Sequence, residues 1–483
     1  MNTNISEVLN ADPSLWNDWH WQMKQKPVCS DPEQLVALGL VNLGTVKQRR
    51  RVGLTPYNLK LLLDLRDNDP EGFKAEHLQT FPLLSDFKKK HQWVWAKRHD
   101  LLRSRLLSQL PIPAFLKTLF GGRGSDTETH ALECFYPRTD VLIAAGSCAR
   151  HCTFCFREIG DAEGEAVQMT GGMDTIMKAV QQVIDRKTPH VLITGGDPLT
   201  RSNDQLRQIL EPLVKSDTVQ VIRLATRMVV DLPMRFYDNT LLGLLEDLAK
   251  QMRNRQASLR IVVHVNHVCE LTSEAVRAIR NIQACGIEVL SQTAALHGVN
   301  DEAERMRKLF LELDRLGVRV YKLFHSMPVH GTEHLRVSVS DFRKLIAALH
   351  QWLPGTSVPQ ANIVTLVGKV PVSPSRRWIV PIPFTDRMLC RSFRGEWYFF
   401  KDAKDLKRHI REVGISFVAA ALILMATILT RRSGSLPVSH KESQVVSRIS
   451  VLANEMDYPD AWARQRFTPF VQNETLYLPL HGL

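Results

Sequence analysis

The sequence predicts an α/β fold in which short strands alternate with helices, and three observations support this. Six β-rich runs lie between residues 141 and 325, amphipathic segments separate them, and polar motifs follow the strand ends. Strands joined in this way run parallel, in an open layered sheet or in a full or partial barrel. Because active sites of β/α barrels lie at strand ends, the motifs favour a partial (β/α)6 barrel.

The predicted elements follow one another in alternation along the chain. Each run is short and apolar enough for a buried strand, and each intervening segment has the length and one-sided apolar pattern of a helix. The strands are 141–147, 190–195, 219–225, 259–265, 288–293 and 318–325. The helices lie near 174–187, 203–214, 240–252, 273–284 and 302–316.

The chain of 483 residues divides into three predicted regions. Residues 1–130 form a polar helical region, residues 131–400 form the barrel, and residues 401–483 form an irregular C-terminal extension. Within the extension, residues 413–430 carry no charge and would make a helix of about 27 Å, just short of a bilayer core of about 30 Å. Two alternatives stay open for this segment, a buried helix and one membrane-spanning helix.

Composition and charge restrict the functional class. Charged residues make up 23% and hydrophobic residues 44% of the chain, as in a globular protein. The net charge of +12 suits an enzyme with anionic cofactors, and no aromatic-interleaved basic motif indicates a nucleic-acid partner. The start of the sequence does not resemble a secretory signal, so we expect a cytoplasmic protein, attached to the inner face of the membrane if 413–430 spans it. In that compartment, clustered cysteines are typical of metal ligands or catalytic thiols.

Three cysteines stand directly after the first predicted strand. Cys148, Cys152 and Cys155 have the spacing C-x3-C-x2-C. Three thiolates on one loop can bind three irons of a [4Fe–4S] cluster and leave the fourth iron to an exogenous ligand. A structural zinc site normally has four protein ligands, and no nearby cysteine supplies the fourth. The spacing therefore predicts an iron–sulfur cluster, with zinc or a chance pattern as the alternative.

A glycine-rich turn follows the second predicted strand. Gly195, Gly196 and Asp197 stand between Thr194 and Pro198. Glycines let the backbone approach a ligand, and a carboxylate can pair with an ammonium group. Alone, this motif also fits any strand-to-helix turn. The cysteine spacing, however, resembles the signature of the radical S-adenosylmethionine (SAM) superfamily, which has such a turn at the SAM amino group.

Over most of residues 15–400 the chain resembles the lysine 2,3-aminomutase family of that superfamily. The matching segments occur in the family order and lie at predicted strand ends. They are 16–22, Tyr136-Pro137-Arg138, Cys155-Phe156-Arg157, 222–236, His264-Val265-Asn266-His267, Ser291-Gln292, 297–300, 333–336 and 368–372.

The resemblance implies cofactors and residue roles. Lys369 would bind pyridoxal phosphate (PLP) as a Schiff base, at a glycine-bearing turn that gives the necessary access. Arg157 would hold the substrate carboxylate through a bidentate guanidinium, with a structural ion pair as the alternative. The SAM and PLP pocket would be lined by His264, Asn266, His267 and Gln292, with a structural polar role as the alternative for each, and Arg138 would also bind a cofactor.

The implied reaction is a radical isomerisation of a small-molecule substrate. A 5′-deoxyadenosyl radical would start the transfer of an amino group from Cα to Cβ of an L-α-amino acid. The resemblance also implies an electron donor such as flavodoxin or ferredoxin, and a homo-oligomer. The cofactors supply this chemistry, and the protein aligns their reactive atoms.

The substrate pocket departs from the family pattern. Lysine-acting members have two aspartates for the distal ammonium, and the corresponding positions here are Met327 and Asn362. A buried ammonium without a counter-charge would cost on the order of several kcal/mol, so free lysine is not the expected substrate. Met327 also differs from the lysine of glutamate-acting relatives, which favours a neutral or differently placed side chain. The zinc cysteines of the family are missing, so no structural zinc is predicted.

Three alternative functions remain at this stage. The first is a lysine 2,3-aminomutase that acts on free or protein-bound lysine through other residues. The second is a radical SAM enzyme that has lost PLP. The third is a membrane-attached iron–sulfur sensor without turnover.

Overall fold

The computed structural model describes most of the first 373 residues and five short strands beyond them. The described ranges are 5–42, 52–81, 131–136, 138–155, 172–326, 332–365, 368–373, 379–381, 387–391, 397–401, 471–472 and 475–477. The chain forms two compact units, 1–374 and 375–483. The division falls at residue 374, whereas the sequence places it after residue 400.

The first unit is built on a nine-stranded sheet whose strands lie in sequence order. The first strand, β1, pairs antiparallel with β2, strands β2 to β8 pair in parallel, and β9 returns antiparallel to β8. The strands are β1 Leu132–Tyr136, β2 Thr139–Ala145, β3 His190–Gly195, β4 Val221–Thr226, β5 Ser258–His264, β6 Glu288–Ala295, β7 Arg319–His325, β8 Gln360–Thr365 and β9 Gly368–Pro371. All six predicted strands are confirmed, as β2 to β7.

Helices cover the sheet and join its parallel strands. The first six helices, α1 to α6, belong to the N-terminal region described below. The helices of the barrel are α7 Met173–Asp185, α8 Asn203–Lys215, α9 Met228–Asp231, α10 Asn239–Asn254, α11 Ser273–Ala284, α12 Ala303–Arg315 and α13 Val339–Trp352. Each long helix buries one face, as α12 does with Met306, Leu309, Phe310 and Leu313. The five predicted helices are present. The helix α13 and the strand β8 continue the alternation by one further unit that the sequence reading missed.

The N-terminal region is helical where it is described. Its helices are α1 Ile5–Leu9, α2 Pro13–Trp16, α3 Trp19–Cys29, α4 Pro32–Ala37, α5 Pro56–Asn68 and α6 Pro70–Thr80. They enclose a small apolar core of their own, which includes Leu35, Leu59 and Leu62. Polar contacts join them to the barrel: Asn58 Nδ2 donates to the Asp231 carbonyl at 2.8 Å.

The second unit contains a five-stranded antiparallel sheet. Its strands, in the spatial order β10-β11-β12-β14-β13, are β10 Ile379–Pro381, β11 Arg387–Arg391, β12 Trp397–Lys401, β13 Val471–Gln472 and β14 Thr475–Tyr477. The apolar segment 413–430 lies outside the described residues. Among the helices that the structure does describe, none combines the length and the apolar character that a bilayer crossing requires.

The packing of α12 gives a direct test of this fold. Leu313→Ala should lower the free energy of unfolding by about 2–5 kcal/mol, because Leu313 is fully buried and its loss leaves a cavity. The matched control on the same helix is Leu311→Ala, which removes the same atoms from a side chain that is 36% exposed. That change should cost about 0.5 kcal/mol or less in the same urea titration. Equal losses in the two variants would contradict the orientation of α12.

Candidate active site

One cavity of about 300 Å³ lies at the carboxyl ends of the parallel strands. Side chains from β2 to β8 all line it, for example Val141 of β2 and Val364 of β8. In a flat sheet, those two strands would be about 29 Å apart, at about 4.8 Å per neighbouring pair. Their side chains share one cavity, so the sheet is curved. The predicted partial barrel is therefore confirmed, with seven parallel strands.

The cavity brings together nine of the residues singled out from the sequence. They are Cys148, Cys152, Cys155, Gly195, Gly196, Asp197, His264, Gln292 and Lys369. Four others are described but do not line it, namely Arg138, Asn266, His267 and Asn362. The remaining two, Arg157 and Met327, lie outside the described residues.

The cysteine loop runs from the end of β2 into the cavity. Burial raises the pKa of the Cys152 thiol to about 12 and also raises the pKa of Cys148 well above its usual value. In the described part of the chain, no three His, Cys, Asp or Glu side chains converge on a point where one metal ion could bind. Thiolates that bind three different irons of a cubane need no such common point. The three cysteines share the cavity, and their role as cluster ligands stays a prediction.

The N-terminal helices hold the cysteine loop in place. Lys26 of α3 donates from Nζ to the Cys148 carbonyl at 2.7 Å, and this Nζ lies 3.2 Å from His151 Nε2. At the other end of the loop, Thr153 Oγ1 donates to the Leu78 carbonyl at 2.8 Å. The region before the barrel thus forms one wall of the cysteine site.

A buried network of five charged side chains lies behind the cysteine loop. Arg150, inside the loop, pairs with Glu76 of α6, and its Nε lies 3.1 Å from Asp231 Oδ1 at the end of α9. Arg227 Nε lies 3.2 Å from Asp231 Oδ2, and its Nη2 lies 3.2 Å from Glu270 Oε1. None of the five is more than 10% exposed. Breaking a buried pair of this kind typically costs about 3–5 kcal/mol.

The network contains three carboxylates and only two guanidinium groups. Burial is the largest influence on Glu76, and its pKa is raised to about 7 although Arg150 opposes the shift. Burial also acts to raise the pKa of Glu270, but Arg227 and Arg150 lower it to about 2. Burial and the nearby Glu270 thus raise the proton affinity of Glu76, on α6, whereas Glu270 stays ionised beside the two guanidinium groups.

The glycine turn after β3 lies tightly against the start of the cysteine loop. Gly195 has a φ of +134°, and a Cβ there would lie 2.4 Å from the Ala145 carbonyl oxygen. A Cβ on Gly196 would lie 2.4 Å from the Ser147 carbonyl oxygen. Both clashes are with backbone, which cannot rotate away. Glycine is therefore required for the turn to approach the loop this closely.

Asp197 is engaged by the protein itself. Its carboxylate accepts hydrogen bonds from Arg227 N at 2.6 Å, Leu199 N at 3.0 Å and Thr226 Oγ1 at 2.9 Å. Burial nevertheless raises its pKa to about 6. Asp197 therefore joins the ends of β3 and β4, and its proximity to the cavity leaves pairing with a ligand ammonium as a prediction.

His264 and Asn266 act together at the ends of β5 and β6. The His264 Nε2 atom lies 3.0 Å from Asn266 Oδ1, which also accepts from Ala294 N at 2.9 Å. Burial and the nearby Arg227 lower the pKa of His264 to about 3, so this imidazole is neutral at physiological pH. Asn266 is fully buried and shapes the cavity from behind His264.

Lys369 reaches the cavity from the returning strand β9. In the register of the two strands it lies opposite Val364 of β8, and its Nζ lies 5.0 Å from the centroid of the Phe324 ring. The residue as a whole is exposed, yet its ammonium group is surrounded by protein. This desolvation, with repulsion from Lys322 and Arg223, lowers the pKa of Lys369 to about 8.

Comparison with known proteins finds relatives that align with most of the chain. A putative L-lysine 2,3-aminomutase from Aquifex aeolicus is 29% identical over 373 residues, which cover 76% of this chain and 90% of that protein. Glutamate 2,3-aminomutase from Clostridioides difficile is 28% identical over 84% of this chain and 88% of its own length. L-lysine 2,3-aminomutase from Clostridium subterminale is 26% identical over 81% and 85%.

The chain is similar to lysine and glutamate 2,3-aminomutases over most of its length, which supports the predicted family. No protein-family model matches the sequence. Among solved structures, native anSMEcpe with bound AdoMet matches 44% of this chain and 58% of its own at 14% identity, with a TM-score of 0.34. A likeness this low carries no argument. The family assignment therefore depends on the sequence relatives.

Sequence reasoning missed the charged network at the aminomutase site. Its members are Glu76, Arg150, Arg227, Asp231 and Glu270. Arg150 stands between two of the cysteines, and Arg227 and Asp231 lie in the matching segment 222–236. Charged residues inside these two motifs were the available signal, whereas Glu76 and Glu270 lie in no motif.

The glycine turn allows a controlled test. Gly195→Ala should lower the free energy of unfolding by more than about 1 kcal/mol, because the new Cβ meets backbone at a φ that L-residues rarely adopt. Gly243→Ala, on α10, places a methyl group in open space and should stabilise that helix by up to about 1 kcal/mol. Urea unfolding of the two variants checks both signs. Equal stability of Gly195→Ala and the native chain would contradict the close approach.

Proposed function

We propose that this protein is a radical SAM, PLP-dependent amino acid 2,3-aminomutase that converts an L-α-amino acid into a β-amino acid. The observation that carries the proposal is the single cavity shared by the three cysteines and Lys369. Hydrogen abstraction and nitrogen migration require both cofactors to act on one carbon skeleton. A shared cavity meets that requirement, and the aminomutase relatives support it.

The residues of the chain would hold the cofactors as follows. Cys148, Cys152 and Cys155 would bind the [4Fe–4S] cluster, and the backbone at Gly195 and Gly196 would lie against SAM. Lys369 would bind PLP covalently through its amine. When bound, the cluster and SAM supply a 5′-deoxyadenosyl radical, and PLP supplies the conjugated system through which nitrogen moves from Cα to Cβ.

The protein would control the environment of this chemistry. His264 stays neutral, so it can donate or accept a hydrogen bond without adding a charge beside the cofactors. Apolar lining residues such as Leu192, Val262 and Phe324 restrict water. Exclusion of water protects a reactive radical from side reactions. Arg157 remains our candidate for the substrate carboxylate, because a guanidinium binds it in a bidentate manner.

The substrate is an L-α-amino acid other than free lysine. The positions where lysine-acting members have aspartates are Met327 and Asn362. Asn362 is buried, and its Nδ2 donates to the Gln360 carbonyl at 2.9 Å. An amide in that position offers a lysine ammonium no counter-charge. A flavodoxin or ferredoxin as electron donor, a homo-oligomer and a cytoplasmic location belong to the same proposal.

A screen of amino acids tests this function. The protein, reconstituted anaerobically with about four irons per chain, should convert one common L-amino acid to its β-isomer and form 5′-deoxyadenosine. Free L-lysine should react poorly. Mass spectrometry detects both products.

Two cysteine variants serve as the controls for that screen. Cys152→Ala should lose iron and both products, because its thiol lines the cavity. Cys285→Ala removes a buried cysteine that does not line the cavity, so this variant should keep the iron and form both products. Failure of every amino acid with the iron-loaded protein, or full activity of Cys152→Ala, would refute the function.

Capture of PLP by Lys369 should depend on pH. Only the neutral amine attacks the PLP aldehyde, so the rate should rise as pH increases through about 8 and level off above it. Borohydride reduction followed by peptide mass analysis should locate the pyridoxyl group on Lys369. Lys344→Ala, which changes an exposed lysine on α13, should leave the adduct unchanged, whereas Lys369→Ala should abolish it. An adduct on another lysine would disprove the assignment.

A further inference from the structure

Three cationic side chains from three different strands face the same side of the sheet. They are Arg223 of β4, Lys322 of β7 and Lys369 of β9. Arg223 of β4 pairs with Leu192, and Lys322 of β7 pairs with Gln292. Register partners on neighbouring strands project from the same face of a sheet. Leu192, Gln292 and Lys369 line the cavity, and Arg223 and Lys322 lie beside them on the same face of the sheet without lining it themselves.

An irregularity in β7 brings these groups together. Val320 pairs with Ser291 and Lys322 with Gln292, so Tyr321 is an extra residue in β7 at this point. Such a bulge re-aims side chains and is common beside active sites. Arg223 Nη1 donates to Tyr321 Oη at 3.4 Å, and Lys322 Nζ lies 4.8 Å from the centroid of the Tyr321 ring.

The described residues provide no anion for Arg223 or Lys322. Neither forms an ion pair there, and Lys322 Nζ donates to the neutral amide oxygen of Gln360. Arg223 Nε is buried and has no hydrogen-bond partner in the described part of the chain. Glu288, on the neighbouring strand β6, pairs with two other arginines. Three carboxylates do line the cavity, those of Glu133, Asp197 and Asp231, but no ion pair in the described part of the chain joins any of them to Arg223 or Lys322.

The cations also disfavour one another. Desolvation and then repulsion from Arg223 lower the pKa of Lys322. Desolvation and then repulsion from Lys322 and Arg223 lower the pKa of Lys369. Partly buried charges of one sign are costly unless an opposite charge joins them. A bound oxyanion would remove the repulsion and accept charge-assisted hydrogen bonds.

We propose that Arg223 and Lys322 form an oxyanion-binding subsite next to the cavity, on the face of the sheet that lines it, with Lys369 where the subsite and the cavity meet. The ligand class is a carboxylate or a phosphate ester. Two sources could supply it, the phosphate of PLP or the second carboxylate of a dicarboxylic amino acid substrate. The identity of the ligand depends on the proposed function, whereas the existence of the subsite does not.

The test uses the full-length protein with two charge-removing variants. Lys322→Gln and Arg223→Gln each remove one cation, and Lys322→Arg restores the charge at the first position. The control is Lys215→Gln, the same change at an exposed site on α8. Equilibrium dialysis measures the binding of inorganic phosphate, and imine absorbance measures the binding of PLP and pyridoxal. Calorimetry on the cofactor-loaded protein measures the binding of L-glutamate and L-alanine.

Inorganic phosphate should bind the native chain, Lys215→Gln and Lys322→Arg with similar affinity. It should bind Lys322→Gln and Arg223→Gln at least about tenfold more weakly. If PLP weakens similarly while pyridoxal does not, the subsite binds the cofactor phosphate. If PLP is unaffected and L-glutamate weakens while L-alanine does not, it binds the substrate carboxylate.

The subsite would be overturned if the native chain, Lys322→Gln and Arg223→Gln had equal affinities for phosphate, PLP and L-glutamate. The proposed function fails on different observations, namely no pyridoxyl adduct on Lys369 and no deoxyadenosine. The phosphate measurement needs neither cofactor, so it decides on the subsite even if the function is wrong.

Discussion

Arg150 is the charge on which the cysteine site depends. Its guanidinium is 2% exposed, in the middle of the loop that carries Cys148 and Cys152. A guanidinium in such a place is tolerated only where carboxylates meet it, and these are Glu76 and Asp231. One carboxylate comes from the N-terminal helices and the other from the end of α9. The loop conformation is therefore fixed jointly by parts of the chain that are remote in sequence.

The backbone imposes the second constraint on the site. Parallel strands that follow one another in a curved sheet bring their carboxyl ends to one opening, so loops far apart in sequence meet there. Gly195 and Gly196 let the turn after β3 lie directly against the β2 end and the first residues of the loop, where any side chain would collide with carbonyl oxygens. The close approach and the charge network therefore both act on the same loop.

The sequence predicted those parts of the protein that short-range patterns determine. Strands β2 to β7 and their helices have local periodicity, and the cysteines and Lys369 lie in short motifs. Contacts such as Glu76 with Arg150 cannot be predicted in this way, because no spacing relates two residues that meet only through the fold. The strand β8 was missed since a run such as Gln360–Thr365 is short and half polar. The bulge at Tyr321 was missed because a single extra residue in an apolar run leaves no pattern.

The chemistry of Lys369 links these features. An ordinary lysine with a pKa of 10.5 has about 0.03% neutral amine at pH 7, whereas a pKa of about 8 gives about 9%. Desolvation is the main cause, and Lys322 and Arg223 add repulsion. The same two cations would attract an oxyanion, and its arrival would weaken their repulsion on Lys369. If the proposed function and subsite are right, the amine is most nucleophilic before the oxyanion binds.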